Sequence, residues 1–282
     1  MATRASSPSD RAGDGVARTA RRPPRFGEED RQLSYGSYLK VPELLSLQRH
    51  LSDPPAHDEL LFIVVHQVYE LWFKEVLFEL ETIRARVFDG DTHRARHYLE
   101  RVHAIERVLV EQVGVIESMS PQDFLEFRQN LAPASGFQSV QFRAIEFVSG
   151  LKDARYLDRI ATSDDERALL ERALREPSLW DAFCTLLDDC GLPMPRDDED
   201  RRRASLLEMA RDRDRHASLF YLSESLVTHD ELLSLWRQRH VLMVERQIGT
   251  KTGTGGSTGS SYLRTTLDKR CYPELWALRS YL

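Results

Sequence analysis

The chain has 282 residues, of which 41% are hydrophobic, enough to bury a core and enclose a ligand. A net charge of -6 leaves no basic surface to hold a phosphate backbone, so nucleic acid is not an expected partner. Cys184, Cys190 and Cys271 show no CxxC spacing, which argues against a zinc site and a disulfide framework and fits a reducing, cytoplasmic setting. No apolar run approaches the roughly 18 residues that span a bilayer, and the N-terminus lacks an apolar secretion-signal core.

Residues 1–30 are rich in Arg, Ser, Pro and Gly, with almost no large apolar residue before Phe26, and read as a disordered tail. An organelle transit peptide is the other reading of an Arg-rich leader, but Asp10 and Asp14 weaken it. From 31 to 282 the apolar residues recur at helical spacing, with breakers at Pro54-Pro55, Asp89-Gly90, Ser120-Pro121 and 191–195. The pattern predicts a single all-α helical-bundle domain. Its long helices are expected over 57–88, 92–118 and 215–247. Shorter ones are expected over 41–51, 121–130, 138–150, 164–175, 178–188, 200–211 and 273–280. The first long helix is apolar nearly all round, from Leu60 to Phe73, and is expected inside the bundle.

Four features carry candidate chemistry. His66 sits among apolar neighbours on the first long helix and needs partners for its ring nitrogens; a core histidine bonded to a backbone carbonyl is the plainer alternative. His240 projects from a stripe with Trp236, Met243 and Val244, with Arg237 and Arg239 expected to turn elsewhere. An imidazole on an apolar face without nearby acids matches a heme-iron ligand better than hydrolytic zinc, with core packing as the alternative. The glycine-rich segment 249–259 fails the phosphate-loop patterns, since Lys251 follows Thr250 and the preceding element is a helix. It is either a linker or a loop that folds over a ligand. Arg128, on a short helix before a Pro/Gly turn, is suited to a bidentate carboxylate contact, unless it is a surface or salt-bridged arginine.

Taken together, five blocks resemble the tryptophan 2,3-dioxygenase family. They are Leu33-Ser-Tyr-Gly-Ser-Tyr-Leu; His57-Asp-Glu-Leu-Leu-Phe-Ile-Val-Val-His-Gln with Glu70-Leu-Trp-Phe-Lys; Phe127-Arg; Ser135-Gly-Phe-Gln-Ser; and Gly253-Thr-Gly-Gly-Ser. The likeness is close over 33–150 and 236–282, and loose over 151–235. It implies a heme b enzyme of the kynurenine pathway that uses O2 to open the indole C2–C3 bond of L-tryptophan, giving N-formyl-L-kynurenine. It also implies that His240 is the axial ligand to the heme iron and that His66 meets the indole N–H. Arg128 would clamp the substrate carboxylate with help near Ser135 and Gly136, and Thr254 would contact the ammonium and carboxylate. Phe62, Phe124 and Leu131 would wall the indole. Tyr35 would enter from a neighbouring subunit of a homotetramer. Phe124 departs from the Tyr of some bacterial members, so any polar contact from that position is missing.

Overall fold

The structure is a computed structural model that describes residues 33–160, 163–255 and 259–282. The tail expected at 1–30 lies outside the described residues. Every regular element among the described residues is helical. The chain divides between Leu47 and Gln48 into two compact units.

In the first unit, α1 (Tyr35–Leu39) starts at a Ser34/Ser37 capping box and ends at Lys40, whose positive φ of 54° also opens α2 (Val41–Leu44). Neither helix buries a residue; Leu33, Tyr35, Tyr38, Leu44, Leu45 and Leu47 are all exposed. The helix expected over 41–51 therefore stops at Leu44. Farther along, in the second unit, the backbone N–H groups of Leu51 and Ser52 donate to the Glu59 carboxylate instead of to helical carbonyls.

The second unit is built on three long helices, α3 (Glu59–Phe88), α4 (Thr92–Ile116) and, later in the chain, α11 (Ala217–Ile248). Their ends lie within two residues of the expected ones, because the stop signals are local: Asp91 caps α4 by accepting from Arg94 N–H, and Gly249, at φ 59°, ends α11. Between them come α5 (Pro121–Phe127), α6 (Val140–Ser149), α7 (Leu157–Ile160), α8 (Asp164–Arg175), α9 (Leu179–Asp189) and α10 (Glu199–Arg211); α12 (Ser260–Arg264) and α13 (Pro273–Leu278) follow. The helix expected over 121–130 is divided, since a 3-10 turn at Arg128–Leu131 replaces its last part. The helices α1, α7 and α12 are too short to leave a periodic pattern and were not expected.

α3 packs on α4, α6 and α9, and α4 packs on α11. The main core includes Val76, Leu80, Ile83, Leu99, Val102, Ile145, Phe147, Phe183 and Leu222, each contributing about 1.5–3 kcal/mol by leaving water. A smaller cluster joins Ala56, Val65, Ile116, Met119 and Phe127, with Phe62, Phe124, Leu131 and Met243 against it. The expectation that α3 is buried all round needs correction. Its Leu60, Val64, Leu71 and Phe78 are 39–64% exposed, so one apolar face of this helix is uncovered in the single chain.

Candidate active site

Two adjoining cavities, about 880 and 970 Å3 with their open mouths included, share His66, Ile116, Gly136, Phe137, His240, Met243, Tyr262 and Leu263 in their walls. Both are lined mainly by apolar and aromatic side chains with a few polar groups, the character of small-molecule sites. α3 supplies Phe62 and His66 one turn apart, α5 and its 3-10 extension supply Phe124 and Arg128, and α11 supplies His240. The first cavity also brings in Ser135, Gly136 and Thr254. Leu131 is not among the wall residues; it packs half-buried in the cluster behind Phe62 and Phe124. Tyr35 belongs to the first unit and is 79% exposed.

The aromatic wall is continuous. Phe62 and Phe124 stack with centroids 5.7 Å apart, Phe127 meets both edge-on, and Phe62 lies 4.1 Å from the His66 ring. His66 Nδ1 sits 2.7 Å from the Phe62 carbonyl oxygen. Only a protonated Nδ1 makes that bond, so in the neutral ring Nε2 is left as an acceptor. Burial lowers the His66 pKa, against smaller upward pulls from the Phe62 carbonyl and Glu70, and keeps the ring neutral.

His240 is pushed down to about 4 by burial and then by the nearby His66, so it too is a neutral imidazole near pH 7. Its ring lies parallel to the Trp236 indole, with centroids 5.1 Å apart and planes 8° from each other. Neither ring nitrogen has a hydrogen-bond partner among the described residues. No group of three or more His, Cys, Asp or Glu side chains gathers there to hold a bare metal ion, among the described residues. A neutral imidazole with a free lone pair, in a cavity wall with Trp236, Val241, Met243 and Leu263, fits a metal carried in its own macrocycle.

Among the described residues Arg128 has no carboxylate partner. One of its terminal nitrogens donates to the Thr252 carbonyl, and its Nε is buried without a partner among the described residues. A half-buried guanidinium left this way is poised for an anionic ligand. Thr254 Oγ1 donates its one hydrogen to the Ala134 carbonyl at 2.6 Å, which leaves only its lone pairs for a ligand. The loop carrying Thr254 is seated on the 133–136 turn, and a Cβ on Gly255 would stand 2.6 Å from that of Ser135. At its base a Cβ on Gly259, which has φ +65°, would stand 2.5 Å from the Lys251 carbonyl oxygen. Gly253, Thr254 and Gly259 thereby border the first cavity.

Arg237 does not turn away as expected. It is 3% exposed, lines the second cavity and donates to Glu146, which also pairs with the buried Arg143. The tertiary partner decides this, because Glu146 comes from α6 and reaches both guanidinium groups. Trp236, already placed on the His240 stripe, lines the second cavity, and Gln247 and Tyr262 are further wall residues that the sequence did not point to. Extending the His240 stripe by seven residues leads to Gln247. Tyr262 follows the glycine loop, and no periodic signal marks it.

Helices throughout the described residues and two neutral imidazoles in the wall of one cavity give the chain the architecture of an all-helical small-molecule-binding protein. The family model described as tryptophan 2,3-dioxygenase matches residues 22–192 and 198–282. A tryptophan 2,3-dioxygenase of Nocardioides sp. is 56% identical over 262 residues, covering 91% of this chain and 97% of the relative. Those of Herpetosiphon aurantiacus and Caulobacter vibrioides are 45% and 43% identical over 261 residues, each covering 89% of this chain and 98% of the relative. The chain belongs to the tryptophan 2,3-dioxygenase family.

Proposed function

We propose that this chain is a heme-dependent dioxygenase that opens the indole C2–C3 bond of L-tryptophan with O2, giving N-formyl-L-kynurenine. The observation that carries the reading beyond family membership is the unpaired Arg128 guanidinium in the same cavity as Phe62, His66, Thr254 and His240. His240 would hold the iron through a ring nitrogen, and Trp236, Met243 and Leu263 would border the macrocycle. When bound, the heme supplies the iron that activates dioxygen for insertion into the indole.

The protein's own residues bind and orient. Arg128 takes the substrate carboxylate, using N–H groups that the Thr252 carbonyl does not engage. Thr254, its proton committed to Ala134, offers lone pairs to the ammonium. The backbone and hydroxyl groups at Ser135 and Gly136 border the same head group. Phe62 and Phe124 flank the indole, with Leu131 supporting them from behind. His66 accepts the indole N–H at Nε2, the nitrogen that the Phe62 carbonyl leaves free. Fixing the substrate this way beside the oxygen-activating centre, with water excluded by the aromatic wall and the seated loop, is the protein's main contribution to rate.

The reading extends to residues 31–282 as the catalytic domain and to a cytoplasmic homotetramer with Tyr35 contributed by a neighbour. In support, α3 repeats exposed apolar residues every seven positions at Val64, Leu71 and Phe78, α4 does so at Val108 and Val115, and the first unit leaves its leucines and tyrosines bare. No helix among the described residues is long and apolar enough to cross a membrane. The test is to load the protein with heme, reduce it without oxygen, then add L-tryptophan and air. Product heavier by two oxygen atoms is expected; bound heme with no such product overturns the reading.

A further inference from the structure

A histidine that binds a metal is ordinarily held in one orientation by a hydrogen bond to its second ring nitrogen. His240 has no such partner among the described residues, and its plane is set by a different contact. Trp236, one turn earlier on α11, lies parallel to it at 5.1 Å and 8°. The indole is itself fixed on its other sides. Phe142 lies 4.8 Å away, Tyr69 meets it edge-on at 6.1 Å, and Phe73 does so at 6.3 Å. Tyr69 is anchored in turn by its hydroxyl, which donates to the Leu109 carbonyl at 3.0 Å.

We infer that Trp236 is a positioning residue for the iron ligand: its stacked indole, boxed by Tyr69, Phe73 and Phe142, fixes the plane of the His240 imidazole in place of the usual hydrogen bond. The inference rests on His240 being the heme ligand. A parallel ring restricts rotation of the imidazole about its last side-chain bond while leaving both nitrogens free. The ligand is then pre-oriented by the stack, and among the described residues no carboxylate hydrogen-bonds the imidazole to increase its basicity.

The experiment uses the full heme-loaded chain and three variants: Trp236→Leu, Trp236→Phe and, as a control for general loosening of the core, Phe147→Leu, whose side chain is fully buried and not in either cavity wall. The readouts are the iron–histidine stretching band of the ferrous protein and the rate of heme transfer to an apoprotein acceptor. Trp236→Leu should shift or broaden the band and release heme about threefold to tenfold faster, the range that one aromatic stack contributes. Trp236→Phe, which keeps a ring, should stay near wild type, and Phe147→Leu should leave the band unmoved. If Trp236→Leu does not fold, Trp236→Met replaces it. An unmoved band in the ring-less variant, failure of Phe to restore it, or an equal shift in Phe147→Leu overturns the inference. A wild-type protein without heme, or His240→Ala that retains it, overturns the reading beneath it instead.

Discussion

Two histidines eleven residues apart on α11 have opposite surroundings. His229 is 0% exposed, with Nδ1 2.7 Å from Glu106 and Nε2 2.9 Å from Ser149 Oγ, so both nitrogens are engaged. Burial alone would lower its pKa, but the charges of Glu106 and Asp230 and the Glu106 hydrogen bond outweigh it and raise the value. His240 has no hydrogen-bonding neighbour among the described residues, and burial lowers it to about 4. One helix thus carries a histidine closed off by its partners and another left open for a ligand. The chain Glu106–His229–Ser149 has the connectivity of a nucleophile triad, yet Ser149 is fully buried and donates its proton to the Ile145 carbonyl. Connectivity without access is structural.

The comparison breaks first at His240. His240→Ala should abolish stable heme binding while the apoprotein keeps its fold, checked by the pyridine hemochrome spectrum and helical circular dichroism; stoichiometric heme in this variant sinks the assignment. His229→Ala should do the reverse. It strands the buried Glu106 and should cost about 3–5 kcal/mol of stability in urea unfolding, while the folded fraction still takes up heme.

A third measurement sharpens the same contrast at the substrate. Arg128→Ala should weaken tryptophan binding by about 2–5 kcal/mol, with little further loss for a decarboxylated analogue, as read by equilibrium titration. Unchanged tryptophan affinity would show that the guanidinium serves the Thr252 carbonyl alone.

The smallest expected effect concerns a buried histidine on α4. His103 has its Nε2 2.9 Å from the Ser225 carbonyl oxygen and is lowered to about 4, by burial first and then by the charge of His229. Its folded pKa lies below the unfolded value of about 6.5, so its contribution is full above that pH. The contribution is lost as pH falls from about 6.5 to 4, because the unfolded chain takes up a proton that the folded chain refuses. His103→Gln should therefore flatten the decline of apoprotein stability across that window, by up to about 3 kcal/mol. An equally steep decline in the variant would assign the acid sensitivity to other groups.

Much of this molecule was legible without coordinates because its signals are local. Ser120 with Asp123, Ser163 with Glu166 and Ser178 with Asp181 form capping boxes, and each opens a helix within one residue of where the pattern placed it. The site residues were legible for another reason: the blocks around His66, Arg128, Thr254 and His240 resemble one family, and the fold brings those four residues to one cavity. The sequence could not say which polar groups would find partners. His229 and His240 lie on one helix, and only the packing of α4 and α6 supplies Glu106 and Ser149 to the first, while the second has no hydrogen-bond partner among the described residues. Arg237 was expected to turn away but is drawn to Glu146, while Arg128 was open to salt bridging and has no carboxylate among the described residues. Periodicity fixes where a side chain lies on its helix. Whether it is partnered depends on contacts between residues far apart in the chain, and those exist only in the folded structure.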